Sequence, residues 1–141
     1  MSDTGLQRFT DAHRRDYQTA LWEIQSGRKQ SHWMWYIFPQ IQGLGRSSTA
    51  AFYAIRDLEE ANAFLRDPYL SGNLLEICHA LLQLESSDAG YIFGSPDDKK
   101  LRSSMTLFYC VAGKASVFAR VLDKFFGGKP DRNTLRILNL E

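Results

Sequence analysis

The sequence predicts an all-α domain, a compact single unit of six to eight short helices spanning residues 1–141. Three observations predict it. Apolar residues recur at three and four along several segments, repeated cap-and-proline pairs punctuate those segments, and almost nothing sustains a period-two alternation. The alternative is an α+β domain with one small sheet, its strands drawn from Trp33–Phe38 and Gly90–Phe93.

The first segment carries Leu6, Phe9, His13, Tyr17, Ala20, Leu21 and Ile24 on one stripe, with Arg8, Arg14, Arg15 and Asp16 mostly off it. Gly27 stands where a left-handed C-cap ends a helix, with Arg28 and Lys29 beside the negative end of its dipole. Ser31 is placed to cap a two-turn helix that must end by Phe38, because Pro39 disfavours the helical region for the residue before it. The letters from Trp33 to Phe38 suit a buried strand as well, and the helical surroundings tip the reading. Gln40–Ser48 is a loop with two glycines and hydroxyl residues able to cap a helix starting near Thr49. Asp57 followed by Glu60 is a capping-box start for a helix through Leu65.

Asp67-Pro68 places a cap before proline at the first helical position, opening a helix through Leu70, Leu74, Ile77, Cys78 and Leu81. Ser86–Gly94 is turn-rich, with Tyr91, Ile92 and Phe93 as a hydrophobic anchor. Ser95-Pro96 repeats the cap-and-proline grammar, with Asp97 and Asp98 in the first turn of a helix carrying Leu101, Met105, Phe108 and Val111. Val117, Phe118, Val121, Leu122 and Phe125 form a further stripe ending at Gly127-Gly128, and Asp131–Leu140 adds a last short helix. His13 and His79 fall within amphipathic helices and read as structural.

Composition narrows the function classes. The 141 residues carry 17 Lys+Arg against 16 Asp+Glu, so no strong uniform field exists to hold duplex nucleic acid. Cys78 and Cys110 belong to no metal or disulfide spacing, the three histidines are too scattered to assign a metal, and no cofactor motif is present. No apolar run reaches membrane-spanning length and no secretory signal opens the chain, so a cytoplasmic protein is expected, as monomer or homodimer, with no membrane partner.

The 18 aromatic residues are unevenly spread. Trp33, Trp35, Tyr36 and Phe38 crowd together inside Gln30–Gly45, a stretch without one charged residue. Aromatics with polar tips offer flat walls for a planar ring, and Gln40 could hydrogen-bond a ligand edge. Gly43, Gly45, Arg46, Ser47 and Ser48 then form a GxG turn before a helix, where backbone N–H groups and Arg46 would meet an anion. A nucleotide-like or other small anionic ligand satisfies both halves. Lys100 and Ser103 are further candidate ligand contacts. If the domain is an enzyme, hydrolysis or glycosidic cleavage fits better than redox chemistry, with His32 or Asp98 as the candidate acid/base group. The alternative function is a non-catalytic protein-interaction module using the aromatic surface.

The blocks RKQSHWMWYIFPQIQGLGRSS, FYAI, EANAFLRDPYLSGNLLEI, IFGSPDDKKLRSSMTLF and VLDKFFGGKPDRNTLRIL, in this order from about Leu6 to Leu140, resemble a small bacterial family of unknown function whose members are sometimes labelled calpastatin. The resemblance implies one mostly helical domain and no established activity. Calpastatin inhibits through disordered segments, which an aromatic-rich chain of capped helices does not match. Where the family usually has arginine after the Asp-Pro segment, this chain has Asn73. The order of an aromatic block, an EA…L segment and a KL…F segment is also loosely similar to NADAR-type N-glycosidases, with no catalytic residue carried across.

Overall fold

The structure, a computed structural model, describes residues 5–141. Among these, nine helices account for about two thirds of the residues and no strand or sheet forms. The helices are α1 (Gln7–Gln25), α2 (Met34–Ile37), α3 (Ser48–Tyr53), α4 (Leu58–Arg66), α5 (Pro68–Gln83), α6 (Ala89–Phe93), α7 (Asp97–Ala112), α8 (Val117–Phe126) and α9 (Arg132–Ile137). The all-α expectation holds, with one helix more than the upper count. The two segments offered as strands, Trp33–Phe38 and Gly90–Phe93, contain α2 and most of α6 instead.

Local chemistry explains most boundaries. The side chains of Ser47, Asp57, Asp67, Asp88, Ser116 and Asp131 accept backbone N–H groups at the starts of α3, α4, α5, α6, α8 and α9. At the end of α1, Gly27 takes φ +91° and lets Gly27 N–H and Arg28 N–H close onto Ile24 and Glu23 carbonyls, the bond pair of a Schellman motif.

Three expectations need correction. Ser31 does not cap a two-turn helix: α2 is a single turn, because the Ser31 hydroxyl donates to Glu23 Oε2 at 2.5 Å. The capping box at Asp57 is half made. Asp57 accepts from Glu60 N–H at 2.9 Å, but the Glu60 carboxylate is drawn to Arg8 and to Arg56 N–H. Pro96 occupies the cap position of α7 itself, so Ser95 lies outside that helix and gives it no side-chain cap.

The stripes pack in a simple order. α5 lies against α1 and α8, and α7 contacts α8, α4, α6 and α9. A row of phenyl rings crosses the interior: Phe9 of α1 meets Phe64 of α4 edge-on at 5.2 Å, Phe64 meets Phe108 of α7 at 5.4 Å, and Phe108 meets Phe118 of α8 at 5.5 Å. All four are buried, each contributing roughly 1.5–3 kcal/mol through removal from water. A second group, Trp33, Phe38 and Phe93, ties the α2 region to α6. Ile41 and Ile55 form an isolated parallel bridge, with Gln42 N–H bonded to Ile55 O and Ile55 N–H to Gln40 O, each at 2.8 Å. That bridge closes the segment bearing α3.

Candidate functional site

The charge-free stretch is organised by an acid from outside it. Glu23, buried on α1, accepts hydrogen bonds from Gln30 N–H, Ser31 N–H, Ser31 Oγ and Trp33 Nε1. Burial pushes its carboxyl up, but the four donors outweigh burial and hold it below the usual carboxylate range. Trp33 is thereby drawn into the core, 1% exposed, with its polar tip satisfied. It forms no ligand wall.

Tyr36 is buried one turn away. Its hydroxyl donates to Asp16 and to His32 O, its ring lies 4.9 Å from that of Tyr53, and the Arg15 guanidinium sits 5.5 Å above it. Burial, then the neighbouring Asp16 carboxylate, pushes its phenol up to about 12. The Tyr36 carbonyl accepts from His13 Nε2 at 2.8 Å, and His13 Nδ1 accepts from Asn73 Nδ2 at 3.1 Å. Both ring nitrogens of His13 are satisfied, and burial lowers its pKa.

Trp35 is the window's tryptophan that reaches open space. It borders a cavity of about 250 Å³ with Gln40, Gly43 and Gly45 from the sequence-derived set, and with Ile41, Gln42, Ala50, Ala51, Tyr53 and Ala54 beside them. The cavity exists because α3 presents small side chains. The loop comes so close that a Cβ on Gly45 would stand 2.4 Å from that of Ala50. Gly43, at φ +109°, turns the loop back beside Ile137.

The other predicted residues distribute unevenly. Lys100 reaches the Trp35 ring, its ammonium 5.4 Å from the ring centroid. Arg46 is exposed in the loop beyond Gly45 and, among the described residues, makes no hydrogen bond or ion pair. Ser47 is spent on Ala50 N–H at 3.0 Å, and Ser103 is buried with its hydroxyl donating to Lys99 O. Asp98 accepts from Lys99 N–H and lies against Gly90 of α6. His32 is exposed, and among the described residues its ring has no hydrogen-bond partner. No hydrogen bond or ion pair joins His32, Asp98 and Arg46 among the described residues.

Sequence reasoning missed Tyr53 and the alanines of α3 as walls. The signal available was volume: Ala50, Ala51 and Ala54 beside a Gly43-Leu44-Gly45 loop leave space that no side chain fills. It also missed Lys29 and Asp97, whose 2.8 Å ion pair fastens the loop after α1 to the start of α7. Among the described residues no group of three or more His, Cys, Asp or Glu could hold a metal, and no helix is long and apolar enough to cross a membrane.

Comparison with known proteins agrees with this geometry at the level of the fold. The crystal structure of the conserved hypothetical protein Rv1873 from Mycobacterium tuberculosis is similar to this chain at 41% identity and TM-score 0.92, covering 96% of this chain and 97% of that one. Curated proteins yield no match. Residues 3–138 match the family described as protein of unknown function (DUF1810), and the chain belongs to that family.

Proposed function

We propose that this is a cytoplasmic domain that binds a small nucleotide-like or other small anionic ligand, with the ligand's planar part seated between Trp35 and Tyr53. The observation that carries the reading is the cavity itself: two aromatic walls, the Gln40 amide and a loop brought against α3 by Gly45. At about 250 Å³ it falls just below the roughly 300–1,000 Å³ of ordinary ligand pockets. It suits a ring with its substituents outside the mouth rather than an enclosed dinucleotide. Two cations stand near that mouth: Arg46, exposed in the adjoining loop, and Lys100, against the Trp35 ring. Binding is favoured over hydrolysis, since neither candidate acid/base group, His32 nor Asp98, is among the residues that line the cavity.

The test is a thermal-shift screen with nucleotides and phosphorylated metabolites on the parent, Arg46→Ala and Trp35→Ala. A ligand at one hundred times its Kd stabilises the folded state by about 2.7 kcal/mol. A shift in the parent that is reduced in Trp35→Ala is expected, and Arg46→Ala shows whether the loop cation takes part. Absence of any shift at millimolar concentration would overturn the reading.

The second reading, a protein-interaction module, is favoured by Phe52, 59% exposed and edge-on to Tyr53 at 4.8 Å. Sedimentation decides it for self-association, since a dimer abolished by Phe52→Ser would place this face in an interface.

A further inference from the structure

Resting on the cavity reading above, we infer that Lys100, stacked on Trp35, is the group that reads the ligand's charge, and that the preferred ligand is a planar ring carrying one compact anionic group. The charges around Asp97 do not cancel. Its carboxylate faces two ammonium groups: Lys29 at 2.8 Å from Oδ2 and Lys100 at 3.7 Å from Oδ1. Lys29 is the committed partner, with only 7% of its side chain exposed, a second bond to Ser31 O at 2.6 Å, and the Trp33 ring 5.1 Å away. Two cations on one anion leave one positive charge uncompensated, and it belongs to the looser and more exposed partner, Lys100.

That surplus charge stands 5.4 Å from the centroid of a ring that walls the cavity. This is well inside the Debye length of about 8 Å at physiological salt. The other aromatic wall is backed differently. Arg15, near Tyr36 and Tyr53, already has Asp16 at 3.1 Å, so that side is neutral. Apart from Arg46 in the loop, the charge held about the cleft is therefore at its Trp35 end, where an anionic substituent is drawn while the neutral part of the ring faces Tyr53.

Arg46 is the rival for this role. It has nothing to fix its long side chain, so clamping an anion would cost it more rotamer freedom than it costs Lys100, which is already held by Trp35 and Asp97.

The experiment measures binding of adenosine and of AMP by titration calorimetry to the parent, Lys100→Met, Lys100→Arg and Arg46→Met. Methionine keeps an apolar stem on Trp35 and removes the charge, whereas arginine restores the charge. The parent is expected to bind AMP about tenfold more tightly than adenosine, the scale of one charge-assisted contact. Lys100→Met should remove most of that preference with adenosine affinity unchanged, Lys100→Arg should restore it, and Arg46→Met should leave it. If adenosine and AMP bind the parent equally, or if Arg46→Met rather than Lys100→Met removes the preference, the inference falls while the cavity reading stands. If neither binds the parent, both fall.

Discussion

Glu23 shows how much a single buried carboxylate can organise. Four donors converge on it from Gln30, Ser31 and Trp33, so its folded-state pKa is depressed although burial works the other way. The stability it supplies is therefore present above the unfolded value near 4.3 and is lost as pH falls through the lower folded value. Glu23→Gln keeps the shape but removes the charge and one acceptor. A cost of about 2–3 kcal/mol at pH 7 is expected, narrowing towards pH 3, as measured by urea unfolding of both proteins at the two pH values. An equal penalty at both would show that charge is not the source. Nothing in the spacing marks Glu23, because its partners lie seven to ten residues downstream, beyond the turn at Gly27. The same long-range bond explains why Trp33 and Ser31 read from sequence as a ligand wall and a cap: residue type was legible, and the partner that would claim its polar atom was not.

At the scale of elements, the contact between the loop and α3 is the most exacting. Gly45→Ala drives a methyl to 2.4 Å from Ala50 Cβ, and overpacking of this kind costs about 1–3 kcal/mol. Ala50→Gly alone costs up to about 1 kcal/mol through helix propensity. The double variant should be more stable than the sum of the two single losses predicts, because the second change removes the clash that the first creates. Melting temperatures of the four proteins check this, and strict additivity would mean that the two positions do not touch. Helix starts were legible at some local caps, as at Asp67-Pro68, where Asp67 accepts from Tyr69 and Leu70 N–H groups, but not at Asp88, whose equally local cap opens α6 in a segment read as turns. They were misjudged where a residue had a stronger distant attraction, as Glu60 has for Arg8.

For the molecule as a whole, the row Phe9, Phe64, Phe108 and Phe118 links α1 and α4 to the consecutive helices α7 and α8. Phe64 stands inside the row, and Phe64→Ala should cost about 3–5 kcal/mol, a large part of the roughly 5–15 kcal/mol typical of a domain. One cooperative transition at a much lower midpoint is expected by circular dichroism, and a loss below 1 kcal/mol would show that the row does not hold the helices together. The helical class was readable because the stripes and caps that carry it are local. Which stripe meets which depends on complementary shapes tens of residues apart, and no periodicity records that. The bridge between Ile41 and Ile55 ties both ends of the segment carrying α3, and α3 buries no residue of its own. That segment can therefore open while the phenyl row stays closed, and its backbone amides exchange with solvent deuterium through this small opening rather than through unfolding of the whole. A ligand seated against α3 slows that exchange by the factor 1 + [L]/Kd, so occupancy of the cavity is written in the isotope clock of residues 43–54 even where the rest of the protein shows no change.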